Sequence, residues 1–265
     1  MKTPRATSAA TRTSAPADHL AGLRGLSQLA LAGAAGTTTR HVSFLETGRS
    51  RPNRQMVLRL AEALGAGLRE TNDLLHAAGL AAAYPEASLA GPDIAPYQAA
   101  IGRLLGAHEP YPAMVLDRHY TVILANQACL ALFGPQAVGS NFVRDALTNP
   151  AMAQAIVNWP ETAWAGLDRL RESARRAPLD QELRSLISLA ESALAGTPRP
   201  APADAALVVC PWFRIGDTVV RTIAMTARFD HAGDVTLDEL RVELMYPLDE
   251  DAERYFRGQA HRPAR

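Results

Sequence analysis

From Ser27 to Gly79 apolar and small residues recur every three or four positions, the period of helices with one buried face. In SQLALAGAAG, Gln28 opens a helix whose inner face carries Leu31, Ala32 and Ala35, and Gly36 supplies the residue that tolerates positive φ at a tight turn. Thr38 sits where an N-cap is wanted, and Val42 and Leu45 give a second helix a narrow buried stripe ending at Gly48. Met56, Val57, Leu60, Ala61 and Leu64 pattern a bracing helix, and Leu68, Leu74, Leu75 and Ala78 pattern another, closed by Gly79. Asp18 to Arg24 predicts one short helix ahead of these. Tyr84 and Pro85, followed by Pro92 and Pro96, mark a semi-rigid linker over residues 84–95.

Beyond the linker the period changes. Ile101, Leu104 and Leu105 predict a helix over Tyr97 to Ala107, and the β-prone runs Ala113 to Leu116 and Tyr120 to Leu124 flank Asp117, Arg118 and His119 as a hairpin. Asn126 caps a helix running to Phe133. Residues 149–196 read as helices broken by Pro160 and Pro178, opened by the cap Asn149 and an N1 proline, Pro150. After GTPRPAPAD come three strand-like runs: Ala206 to Val209 with Trp212 and Phe213, Val219 to Phe229, and Leu240 to Tyr246. Two strands before the helices and three after them predict a five-stranded antiparallel sheet in an α+β fold.

The chain's 265 residues, 48% of them hydrophobic, suffice for two buried cores. Charge is uneven. The formally neutral chain carries nine Lys or Arg but only Asp18 and Glu46 within residues 1–60, which points to an anionic partner at that end. Thr39, Arg40 and Ser43 face outward from the second helix, and hydroxyls with a guanidinium at a helix N-terminus suit the major groove. Arg49, Arg51, Asn53 and Arg54 follow in a loop placed to touch phosphates.

Residues 1–16 read as a disordered tail without the apolar core of a secretory signal, and no apolar run is long enough to span a bilayer; the expected location is cytoplasmic, with no membrane partner. Cys129 and Cys210 read as ordinary buried thiols. There is no H-E-x-x-H, G-x-S-x-G, glycine-rich phosphate loop or C-x-x-C, and Pro110 halts His108–Glu109, so neither an enzyme nor a metal site is expected. Asp230, Gly233 and Asp234 fit a calcium loop poorly. The acidic run through Asp238, Glu239, Glu243 and Asp249 to Asp251 reads as a solvated strand face and tail, with residues 257–265 a terminal tail.

SQLALAGAAGTTTRHVSFLETGRSRPNRQMVLRLAEALG resembles the helix-turn-helix of the XRE, or lambda-repressor-like, bacterial regulators, densely and without gaps. The resemblance implies an all-α, five-helix domain over residues 17–83, with Thr39, Arg40 and Ser43 at bases and Gln28, Thr38, His41 and Arg49 at the DNA backbone. Gly33 departs from the pattern, at a cost of roughly 1 kcal/mol relative to alanine. YPAMVLDRHYTVILAN and GDVTLDELRVELMYPLDEDAERYF together resemble the MmyB-like ligand-binding domain that accompanies this branch, which implies an α+β PAS-like domain over residues 96–256.

That second resemblance implies a pocket for a small, largely apolar molecule, with fatty acids the leading class. Trp159, Trp164, Trp212, Phe213, Met225 and Met245 are expected to line it, and His119, Tyr120 and Asn126 are weighed as holders of a polar head, although His119 in a hairpin turn is expected to face solvent. No cofactor beyond such a ligand is expected. The joint reading is a ligand-responsive DNA-binding regulator acting as a homodimer on a double-stranded operator. A flavin- or haem-binding PAS sensor and a DNA-tethered interaction scaffold without ligand remain open alternatives, because a lined cavity and a packed core use the same apolar residues.

Overall fold

The computed structural model describes residues 25–178, 180–201 and 209–260. The short helix expected over Asp18 to Arg24, the tails over residues 1–16 and 261–265, and the first residues of the run from Ala206 lie outside them. The chain divides into two compact units, with the main division between Pro85 and Glu86 and the short segment 176–178 not counted with the second.

The first unit is helical: α1 (Gln28–Ala34), α2 (Thr39–Glu46), α3 (Arg54–Leu64) and α4 (Leu68–Ala77). Leu31, Ala32, Ala35, Val42, Leu45, Met56, Val57, Leu60, Ala61, Leu74 and Leu75 form one buried cluster, so the helical period translates directly into a core. The caps are local. Ser27, Thr38 and Asn53 each accept a hydrogen bond from the amide three residues on, and Gly36 takes φ +61° at the turn between α1 and α2. Buried Asn72 closes the unit: its Oδ1 accepts from the amides of Ala83 and Tyr84, and its Nδ2 donates to the Tyr84 carbonyl.

The second unit contains α5 (Ala95–Ala107), β1 (Ala113–Leu116), β2 (Val122–Ala125), α6 (Gln127–Phe133), α7 (Phe142–Thr148), α8 (Pro150–Ala155), α9 (Trp159–Arg176), α10 (Gln181–Ala193), β3 (Trp212–Ile215), β4 (Thr218–Ala227), α11 (Val235–Glu239), β5 (Arg241–Pro247) and α12 (Glu250–Ala260). The five strands form one antiparallel sheet in the order β2-β1-β5-β4-β3. The last strand therefore lies at the centre, beside the first. Alternation sends the two sides of each strand into different cores. Val115, Val242 and Leu244 pack with Ile101 and Leu105 of α5, while Met114, Leu116, Val122 and Met245 pack with Cys129, Phe133 and Phe142 of α6 and α7.

Several sequence expectations need correction. Pro160 does not break a helix; it occupies the first turn of α9, where a missing amide hydrogen costs nothing, and the interruption falls at residues 156–158. There the chain is stitched to β3: Ile156 bridges Phe213, the Val157 amide donates to the Trp212 carbonyl, and Asn158 holds Cys210 and Trp212. The run Asp249 to Asp251 is no strand face or tail but the start of α12, where acidic residues complement the helix N-terminus. Buried Ala252 and Phe256 seat this helix, which continues through residues 257–260.

The segment read as a linker is also shorter than residues 84–95. The Ala87 amide donates to Asp234, Thr236 donates to the Ala87 carbonyl, and Ile94 is fully buried. Pro85 and Glu86 are what remain between those contacts and the Asn72 clamp.

Candidate functional site

In the first unit the capped start of α2 is the exposed feature. Val42 and Leu45 are buried, so helical geometry turns Arg40 outward and leaves Thr39 and Ser43 half-exposed beside it. The Arg40 guanidinium lies 5.2 Å from the Phe44 ring centroid, one turn further on, which restricts its rotamers before any partner arrives. Thr38 caps the helix by accepting from the His41 amide at 3.2 Å, and His41 Nδ1 is 3.0 Å from Thr37 Oγ1. Gln28 donates to Glu46, tying the start of α1 to the end of α2.

Beyond α2, Arg49, Arg51 and Asn53 are exposed, with Asn53 also capping α3. Arg54 departs from the expectation for this loop: although exposed, its guanidinium donates to the Ala81 and Ala82 carbonyls at 2.7 and 3.1 Å and so ties the unit internally.

In the second unit the residues expected to line a pocket separate into groups. Met245 is buried among Met114, Leu116, Val122 and Cys129, with Tyr120 and Phe142 at the margin of the same cluster. Phe213 joins through Phe133, whose ring centroid lies 5.4 Å from both Phe142 and Phe213. Trp159, half-buried, donates to the Ala146 carbonyl at 3.0 Å, and Trp164 lies under the Arg199 guanidinium with its indole N–H buried and, among the described residues, without a partner.

Two residues do not belong with these. Trp212 precedes Phe213 on β3, so it points to the other side of the strand, half-covered by Arg221 at 5.3 Å. Met225 pairs with Leu244 on β5 and is 53% exposed, because β3 ends its pairing at Thr218–Arg221 and leaves the far end of β4 without that neighbour.

The polar residues are also redistributed. Asn126 is fully occupied: its Oδ1 accepts from the Ala113 and Cys129 amides and its Nδ2 donates to the Leu105 and Tyr111 carbonyls. No capacity remains for a ligand. His119, expected to face solvent, is only partly exposed; its Nε2 lies 2.9 Å from Asp180, which also receives Arg118 at 3.2 Å. Burial would raise the Asp180 carboxyl, but the His119 hydrogen bond, the Leu183 amide and the Arg118 charge outweigh it and hold the group down at about 2.

Tyr120 takes φ +68°, rare for a bulky residue, and is kept there by its neighbours. Asp117 accepts from the His119 and Thr121 amides, and the Phe142 amide donates to the Tyr120 carbonyl. Burial, with a smaller push from Glu109, raises the Cys129 thiol to about 12, so it stays an inert packing group. Among the described residues no group of three His, Cys, Asp or Glu side chains is placed to hold a metal ion, and no helix is long and apolar enough to cross a membrane.

A capped outward-facing helix in a small helical unit, followed along the chain by a sheet domain, fits the DNA-binding transcription regulator with a ligand-binding domain that the family matches give. Residues 20–70 match the helix-turn-helix family, and residues 97–258 match the MmyB-like transcription regulator ligand binding domain. The chain belongs to this MmyB-like family. Both matched families describe binding modules rather than catalysts. No curated protein matches the chain.

Proposed function

We propose that this protein reads a double-stranded operator as a homodimer, and that a small, largely apolar ligand of the fatty-acid kind, held in a PAS-like second domain, sets how well it does so. Thr39, Arg40 and Ser43 approach base edges; Gln28, Thr38, His41, Arg49, Arg51 and Asn53 approach the phosphate backbone. A twofold axis sets two copies of α2 in successive major grooves about 34 Å apart.

The ligand reading is carried by one observation. Met114, Leu116, Val122 and Met245 form an apolar cluster on the side of the sheet that faces α6 and α7, with Tyr120 as a polar group at its margin. A pocket for an apolar molecule needs such a lining with few, placed polar groups. Helices inserted between the second and third strands, against a sheet whose first and last strands are central neighbours, support the PAS-like description.

Native mass spectrometry of the purified full-length protein tests the reading. The expected spectrum shows a dimer that releases an apolar acid or related lipid on denaturation. Release of flavin or haem would replace the fatty-acid reading. A bare chain mass, persisting after incubation with lipid extract, would leave a DNA-tethered interaction scaffold with a filled core.

A further inference from the structure

Val42 and Leu45 take α2 into the core of the first unit, and Phe44 does not follow them. It is half-buried, and among the described residues it belongs neither to the buried cluster nor to the partly buried side chains packed against that cluster. The helical period gives the reason. Phe44 stands four residues after Arg40, one turn further along the outward face, with half-exposed Ser43 beside it.

A single half-exposed aromatic needs no explanation by itself. The position of this one does. The Arg40 guanidinium carbon lies 5.2 Å from the Phe44 ring centroid. Both residues ride on fixed backbone: Thr38 caps the start of the helix, and the Phe44 carbonyl accepts from the Arg49 and Ser50 amides at 2.8 and 3.1 Å where the helix closes. A cation and an aromatic ring are thus presented together on the face proposed above to enter the major groove.

A guanidinium that pairs bidentately with guanine lies in the plane of that base. A ring over its face then stands at the level of the next base pair, about 3.4 Å along the duplex. Phe44 brings no side-chain donor or acceptor, so the base-edge feature it favours is the C5-methyl that thymine projects into the major groove. From this juxtaposition we infer that Phe44 is a specificity-determining residue: α2 reads a guanine through Arg40 and, in the adjoining base pair, a 5-methylpyrimidine through Phe44. Thymine carries that methyl in ordinary DNA and 5-methylcytosine carries the same one, so methylation of a cytosine at this position strengthens binding. The assignment rests on the base-reading role proposed for Arg40 and adds to it a base pair that Arg40 does not touch.

The test begins with selection of binding sites for the full-length protein from random duplexes. Gel shifts on the selected site then replace the pyrimidine beside the guanine with deoxyuridine, which removes the methyl and keeps every hydrogen-bonding group, or with cytosine or 5-methylcytosine. Wild type is expected to select thymine in that base pair and to lose about fourfold in affinity with deoxyuridine, the worth of one buried methyl group. It is expected to favour 5-methylcytosine over cytosine by about the same factor. Phe44→Ala should bind the thymine and deoxyuridine duplexes equally well, while keeping a guanine preference and the slope of affinity against salt that reports phosphate contacts. Thermal melting of the variant separates a lost preference from a lost fold.

Selected sites with guanine but no thymine beside it, or equal binding of thymine and deoxyuridine by wild type, would overturn the role of Phe44 and leave Arg40 as a reader. Both results come from wild type and stand whether or not the variant folds. A deoxyuridine loss as large in Phe44→Ala as in wild type would assign the methyl to another residue. A guanine preference that survives in Arg40→Ala would remove the base-reading role of Arg40 and this assignment together.

Discussion

At the scale of single residues, one side chain is often asked to do two things, and the structure separates those that do from those that do not. Asn126 looked equally suited to capping a helix and to holding a ligand; its four hydrogen bonds are all to backbone, tying α5, the segment before β1, and α6 at one point. Arg40 presents the opposite case. Among the described residues only the Phe44 ring restrains it, and it projects from the first turn of α2. Arg40→Ala should cost roughly 1–3 kcal/mol of discrimination between operator and mismatched sites in gel-shift competition, the worth of one bidentate base contact. An unchanged sequence preference would take Arg40 out of base reading and leave it a phosphate contact.

Among elements, the β1–β2 hairpin and α10 are joined through one carboxylate. Asp180 caps α10 by accepting from the Glu182 and Leu183 amides while meeting Arg118 and His119 from the hairpin turn. Its side chain is 4% exposed, so this cap is also a buried ionic junction. Asp180→Asn keeps a capping oxygen but loses the charge, and should lower stability at neutral pH by about 2 kcal/mol, the scale of a hydrogen bond to a charged partner. Because the folded carboxyl is depressed to about 2, its contribution is complete above the ordinary carboxylate range and lost as pH falls toward 2. Urea denaturation should therefore show wild type and variant separated at pH 7 and converging between about pH 4 and 2. A gap of constant size would mean that the charge is not what joins these elements.

For the whole molecule, the expected consequence of ligand binding is a change in operator affinity. A ligand alters that affinity only by binding two arrangements of the protein unequally, and the linkage is reciprocal. Saturating dodecanoate should change operator affinity in gel shifts by about fivefold or more, a typical coupling, and operator DNA should change dodecanoate affinity by the same factor. A factor of one in both directions would make the two domains independent binders. Both directions need measuring at one salt concentration, since phosphate contacts make DNA affinity steeply salt-dependent.

The DNA-reading unit was legible in the sequence because its determinants are local. Helical periodicity, caps three residues from their amides and a glycine at positive φ are set within a few positions of chain, so Leu31, Val42, Leu45, Thr38 and Gly36 stand where the pattern puts them. Strand runs, and their two-plus-three division around the helices, were legible for the same reason. Side choice and partner choice were not. Which strand neighbours which follows in part from pairing between segments more than a hundred residues apart, β1 with β5, and Met225 is exposed because β3 pairs only with the first residues of β4. Nor does spacing along the chain show that His119 meets Asp180, or that Arg241 lies against Tyr120; those are facts of packing between distant segments, which only the tertiary structure decides.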